Sequence, residues 1–111
     1  MGGRANLTNP ESMDSMAKRL RTLRKALGRT QGKMALAIGS GSGAAMWSNY
    51  EAGYRRISTD HALNLCRKYG LTMDWIYRGN PGICDPQLMK ALEFQEQLEQ
   101  HQSRTRSREP I

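Results

Sequence analysis

The chain has 111 residues, with 17 Lys plus Arg against 10 Asp plus Glu and 38% hydrophobic residues, enough for one domain with a small core and its ends. It contains no valine and five isoleucines, too few β-branched side chains for a sizeable sheet, so an all-α fold is expected. No apolar run approaches the ~20 residues of a membrane span, the opening MGGRANLTNPES lacks the apolar centre of a secretory signal, and Cys66 and Cys84 form no metal-type cluster, so a cytoplasmic protein with no membrane partner, cofactor or metal is expected.

Residues 1–11, rich in Gly and Asn, read as a disordered N-terminal arm. From Ser12 a helical period begins, with Met13, Met16, Ala17, Leu20, Leu23, Ala26 and Leu27 at three- and four-residue steps, and Gly28 ends it. Thr30 is placed to cap a short second helix from Gln31 to about Ile38, closed by Gly39. Ser40-Gly41-Ser42-Gly43 is a flexible turn. A third helix fits Ala44 to Glu51, with Trp47 and Tyr50 inward and Gly53 as its stop. Ser58 caps a fourth helix over Thr59–Tyr69, and Thr72 a fifth through Trp75, Ile76 and Tyr77 to Gly79. Asn80-Pro81-Gly82 reads as a turn ending the compact domain, which gives it the bounds 12–82. Asp85-Pro86 then starts a sixth helix within 85–102, running to about His101, with a thin apolar stripe of Leu88, Ala91, Leu92 and Leu98; this helix or the end of the fifth is the candidate dimer surface. Residues 103–111 read as a disordered basic tail.

The charge is uneven along the chain. Residues 1–57 hold ten basic and three acidic residues, while residues 58–111 hold seven of each, so the whole excess of +7 lies in the first half. Two readings fit: a nucleic-acid partner, or a solvated basic face.

The series Thr30-Gln31, Met34-Ala35, Gly39, Trp47-Ser48-Asn49-Tyr50-Glu51-Ala52-Gly53 and Ile57-Ser58 resembles the helix-turn-helix domain of the phage-repressor (Cro-repressor, or xenobiotic-response-element) family. The stretch from Tyr69 to Gly79, with Asp74-Trp75-Ile76-Tyr77, is similar to that family's closing helix. The resemblance implies a five-helix lambda-repressor-like DNA-binding domain, here with a C-terminal helical extension. One departure stands out: Gly39 to Glu51 spans twelve positions, two more than the family pattern, so the register of the third helix is best counted backward from Glu51.

On that register the resemblance places Gly43, Ala44, Ala45, Met46, Ser48 and Asn49 at the base edges of the major groove. Asn49 carries the amide that can pair bidentately with adenine, and Ala44 and Ala45 can touch only a thymine methyl. With no Arg or Gln on this helix, shape readout gains weight. Phosphate contacts fall to Thr30, Gln31, Lys33, Tyr54, Arg55 and Arg56, with Arg19, Arg21, Arg24, Lys25 and Arg29 adding background field. The alternatives are an exposed helix residue for Asn49, a plain first-turn residue for Gln31, a solvated loop for residues 54–56, and pairing of a helix-one arginine with Glu51. Trp47, Tyr50, Trp75 and Tyr77 read as core, against an aromatic stacking platform.

An enzyme is not expected. Gly39 to Ala44 formally fits Gly-x-Gly-x-x-Ala, but no strand precedes it and no sheet can surround it. His61 and His101 lack matched ligands, Cys66 reads as a small buried hydrophobe and Cys84 as a loop thiol. Two functions remain. One is a sequence-specific, double-stranded-DNA-binding transcriptional regulator, phage- or mobile-element-like and acting as a repressor, that binds an inverted repeat as a homodimer. The other is an antitoxin-like or adaptor module that holds a protein partner through residues 85–102. The C-terminal region is too short for a ligand-sensing domain.

Overall fold

The computed structural model describes residues 9–41 and 43–108, with side chains as far as residue 102. Its elements are α1 (Met13–Leu27), α2 (Gln31–Ala37), α3 (Ala44–Glu51), α4 (Thr59–Tyr69), α5 (Met73–Arg78) and α6 (Pro86–Arg108), with no strand among the described residues. Four of these helices start by the same local chemistry. The hydroxyls of Ser12, Thr30, Ser58 and Thr72 accept from the backbone N–H of Ser15, Lys33, His61 and Trp75, each satisfying a donor with no partner inside its helix. Asp85 does the same for α6, accepting from Leu88 N–H at 3.0 Å, with Pro86 in the first helical position.

The period of α1 buries Met16, Ala17, Leu20 and Leu23 as its spacing predicts. Around them gather Met34, Ala35 and Ile38 from α2 and its end, Trp47 and Tyr50 from α3, Ile57, Ala62 and Leu65 from the α3–α4 connection and α4, Leu71 from the α4–α5 connection, and Trp75 and Ile76 from α5. Trp47 has no exposed surface and meets Tyr50 edge to face at 6.4 Å between ring centroids. The core reading of these aromatics holds, and Tyr77, half-buried, donates from its hydroxyl to the Ile57 carbonyl at 2.6 Å.

Three features depart from the sequence reading. First, α6 packs along α1, and Leu88 and Leu92 join the common core with Cys84. The turn at residues 80–82 therefore threads the chain back onto the core. Cys84, expected as a loop thiol, is 4% exposed and lies 3.5 Å from Thr72 Oγ1. The link is tight at Gly70, whose φ of 72° ends α4. A Cβ there would stand 3.1 Å from that of Asp85, whose N–H donates to the Gly70 carbonyl at 2.8 Å. Second, α6 continues past His101 to Arg108, so the backbone of residues 103–108 is helical where a disordered tail was expected. The added residues are Ser, Arg and Thr with no Gly or Pro among them, so nothing there breaks a helix already nucleated by packing. Third, residues 9–11 of the expected arm are fastened. Ser12 N–H and Ser15 Oγ both donate to the Asn9 carbonyl, and Arg19 donates to that of Pro10 at 2.6 Å. The rest of the expected arm, and residues 109–111 of the expected tail, lie outside the described residues.

Candidate nucleic-acid interface

The short helix α3 owes its position to one buried carboxylate. Glu51 is 5% exposed. Its Oε2 accepts from Arg24 Nε at 2.5 Å and from the indole N–H of Trp47, and its Oε1 accepts from Arg24 Nη2 at 3.2 Å and Gln31 Nε2 at 3.1 Å. Arg21 donates to the Glu51 backbone carbonyl at 3.0 Å. One side chain at the end of α3 thus ties together α1, α2 and α3. The bidentate guanidinium pair offsets the cost of burying the charge, and the remaining donors fill the other lone pairs.

This network fixes the rotation of α3 about its axis. With Trp47, Tyr50 and Glu51 inward, Gly43, Ala44 and Ala45 are exposed, Ser48 and Asn49 are half-buried, and Met46 is partly buried against the core. Gly43 precedes the helix at φ 64° and supplies no side-chain cap, so the first turn of α3 presents backbone and methyl groups only. The longer turn is anchored at its α2 end. Asn64 of α4 donates to the Ile38 carbonyl at 2.7 Å, and Ser40 N–H donates to the Ala35 carbonyl at 2.9 Å. Between these bonds and α3 lie residues 41–43, of which Ser42 lies outside the described residues. At its other end α3 is held by Tyr50, whose hydroxyl bonds His61 Nδ1 at 2.7 Å and receives Ser58 N–H at 3.4 Å.

The residues expected at phosphates fall into two groups. Lys33, Tyr54 and Arg55 are exposed, Tyr54 at 77%, as are Thr30 and Arg56, but only the first three have no side-chain hydrogen bond or ion pair among the described residues. The others already have partners within the fold. The Thr30 hydroxyl caps α2, the Gln31 amide is held by Glu51, and Arg56 reaches the Glu11 carbonyl at 3.5 Å and the Met16 sulfur at 3.8 Å. The helix-one arginines divide likewise. Arg21 and Arg24 serve Glu51, and Arg19 donates through Nε and Nη2 to the Ile76 carbonyl at the end of α5. Much of the positive charge of the first half thus works inside the fold. A pairing with Glu51 was legible in the sequence. The roles of Arg19 and Asn64 were not, because each bonds a backbone carbonyl far along the chain, and such acceptors leave no residue-type signature.

Burial pushes the Cys66 thiol up, with the neighbouring Cys84 adding to the effect, so the thiol stays protonated and weakly nucleophilic. Among the described residues no group of three or more His, Cys, Asp or Glu side chains is placed to hold a metal ion, and no helix is long and apolar enough to cross a membrane.

Compared with known proteins, residues 20–76 match a family model described as Helix-turn-helix. Neither the comparison with curated proteins nor that with solved structures finds a match.

Proposed function

Because the chain belongs to the helix-turn-helix family of the Cro/C1 type, whose members are DNA-binding transcription regulators, we propose that it is a repressor that binds an inverted-repeat operator as a homodimer. The observation that carries this reading is the outward turn of α3. The Glu51 network commits Trp47 and Tyr50 to the core, which leaves Ala44, Ala45, Ser48 and Asn49 on the side available to a major groove. Asn49 is the reader of this set, through its amide, and Ser48 serves a base or a phosphate. The alanines and Gly43 allow close approach without hydrogen-bonded readout, so the operator is selected in good part by its shape. Lys33, Tyr54 and Arg55 meet the flanking phosphates. In the free protein Gln31 is positioned to act through Glu51 on α3, and its exposed neighbour Lys33 is the better phosphate ligand.

For the dimer contact, we place the surface on the outer side of α6. Its inner stripe, Leu88 and Leu92, is consumed by the core, while Phe94 stays 63% and Leu98 39% exposed. The same two side chains favour a second reading, an antitoxin-like or adaptor role in which α6 holds a protein partner. Truncation at residue 85 cannot separate the two, since it removes core residues. The double variant Phe94→Ser/Leu98→Ser can.

The test is selection from a random duplex library by the purified chain near physiological salt. An enriched inverted repeat is expected. Asn49→Ala then relaxes one base position by ~1–3 kcal/mol, and Arg55→Ala weakens all sequences alike and flattens the salt dependence. The α6 double variant is expected to sediment as a monomer and to lose the repeat while keeping half-site binding. Salt-sensitive binding with no enriched sequence sinks the repressor reading, and an Asn49→Ala variant with unchanged preference sinks the register.

A further inference from the structure

On the side built by α1, α5 and α6 lies a cleft of about 420 Å³ to which α2, α3 and α4 contribute no lining. Its apolar surface comes from Trp75, Met89 and Leu92, with Pro10 and Pro81 at its edges. Its polar surface is split by sign. Arg19 of α1 and Arg78 of α5 bring positive charge to it, and Glu93 and Glu96 of α6 bring negative charge. Arg78 is already neutralised, 3.0 Å from Glu11 and 3.6 Å from Asp74. Arg19 is not. It is half-buried, no carboxylate among the described residues comes within ion-pair distance, and its Nε and Nη2 bond only neutral carbonyls. Its Nη1 lies against Gly79, where a Cβ would approach to 3.0 Å, and has no acceptor among the described residues. Glu93 and Glu96 are exposed and likewise form no ion pair among the described residues. A smaller cavity of about 160 Å³ shares Arg19, Thr22, Pro10 and Glu96 and extends the same surface past Lys18.

We propose that this cleft binds a small zwitterion with an apolar body, of the α-amino-acid class: its carboxylate on the Arg19 guanidinium, its ammonium between Glu93 and Glu96, and its side chain over Trp75, Met89 and Leu92. The three demands are met by different elements, so no single helix makes the site. The volume lies within the range of small-molecule pockets, and the few polar groups at its margins supply orientation. The Nη1 group, with no acceptor among the described residues, is the donor left for a carboxylate, on a guanidinium whose other donors hold it in place. The two carboxylates disfavour a simple anion such as phosphate, and Arg19 disfavours a simple amine. Such a ligand bridges α1 and α6. By mass action it stabilises the packed arrangement of α6 and the surface that α6 presents, giving the chain an effector input without a separate sensing domain. The inference does not depend on the DNA-binding reading, because α3 takes no part in the cleft.

The test uses the full chain and calorimetric titration with L-phenylalanine, phenethylamine and 3-phenylpropanoate, beside thermal unfolding in each. Phenylalanine is expected to bind and to raise the unfolding temperature, with each one-charge analogue at least about tenfold weaker. Arg19→Lys should erase the advantage of the carboxylate. Since that change also loosens the hold on the Ile76 carbonyl, the exposed pair Glu93→Gln/Glu96→Gln serves as the second variant. It should fold normally by circular dichroism and bind phenylalanine and phenylpropanoate alike. Absence of heat and of a thermal shift overturns the proposal, as does equal binding of all three probes by the unaltered chain. Binding that appears only after deletion of residues 1–8 overturns it too, since the occupant is then this chain's own N-terminal segment.

Discussion

Helix α1 is held by a glutamate on each of two sides, and the two sites differ in kind. Toward α3, Glu51 is 5% exposed and meets Arg24, Gln31 and Trp47 at once. Toward α6, Glu99 is 20% exposed, accepts from Thr22 at 3.0 Å and Gln95 at 3.3 Å, and approaches Lys25 only to 4.0 Å. The buried site uses a planar, preorganised guanidinium and fixes one rotation of a short helix. The other is wetter, looser and reached by a lysine, and the apolar contacts of Leu88 and Leu92 supply most of the attachment of α6. A hydrogen-bonded charge specifies geometry when it is desolvated, and close to water it adds little beyond solubility.

The largest effect that would test this contrast is Glu51→Ala. It strands the Arg24 guanidinium and the indole N–H of Trp47, and it should cost ~3–5 kcal/mol in urea unfolding. A loss under 1 kcal/mol would mean that the network is incidental to the placement of α3. Next comes Leu92→Ala, expected to cost ~2–4 kcal/mol because Leu92 is 5% exposed in the core. Phe94→Ala, two residues on and so about half a turn round α6 on the open side, should change the unfolding of the monomer by no more than ~0.5 kcal/mol. Equal effects of the two would erase the distinction between an inner and an outer side of α6. Below the Leu92 effect comes Glu99→Ala, which leaves the 3% exposed Thr22 without its acceptor and should cost about 1–2 kcal/mol. Lys25→Ala completes the series at about 0.5 kcal/mol or less, read in the same unfolding assay at low and high salt.

Much of the fold was legible because it rests on short-range chemistry. Capping hydroxyls at Ser12, Thr30, Ser58 and Thr72, and the apolar period of α1, act within a few residues and appear as letters at fixed spacing. The inward register of Trp47 and Tyr50 was legible for the same reason, and with it the candidate readers Ser48 and Asn49. The charge excess of the first half was legible too, but its meaning was not. A count gives Arg19, Arg21 and Arg24 the same weight as Arg55 and Arg56, whereas the fold commits the first three to carbonyls or a carboxylate and leaves Arg55 and Arg56 exposed.

By itself the sequence determined the helices from α1 to α5, their order and the side of α3 that turns outward, since periodicity, caps and stops are local and each acts whatever lies across the core. Only the tertiary structure decided that α6 lies on α1, that Cys84 is buried, and that Arg19, Glu93 and Glu96 line one cleft. A thin stripe such as Leu88, Ala91, Leu92 and Leu98 has equal reason to cover its own core or a neighbour's. Nothing local distinguishes the two, and the choice falls to the free energy of burying those side chains against whichever surface the rest of the fold leaves open.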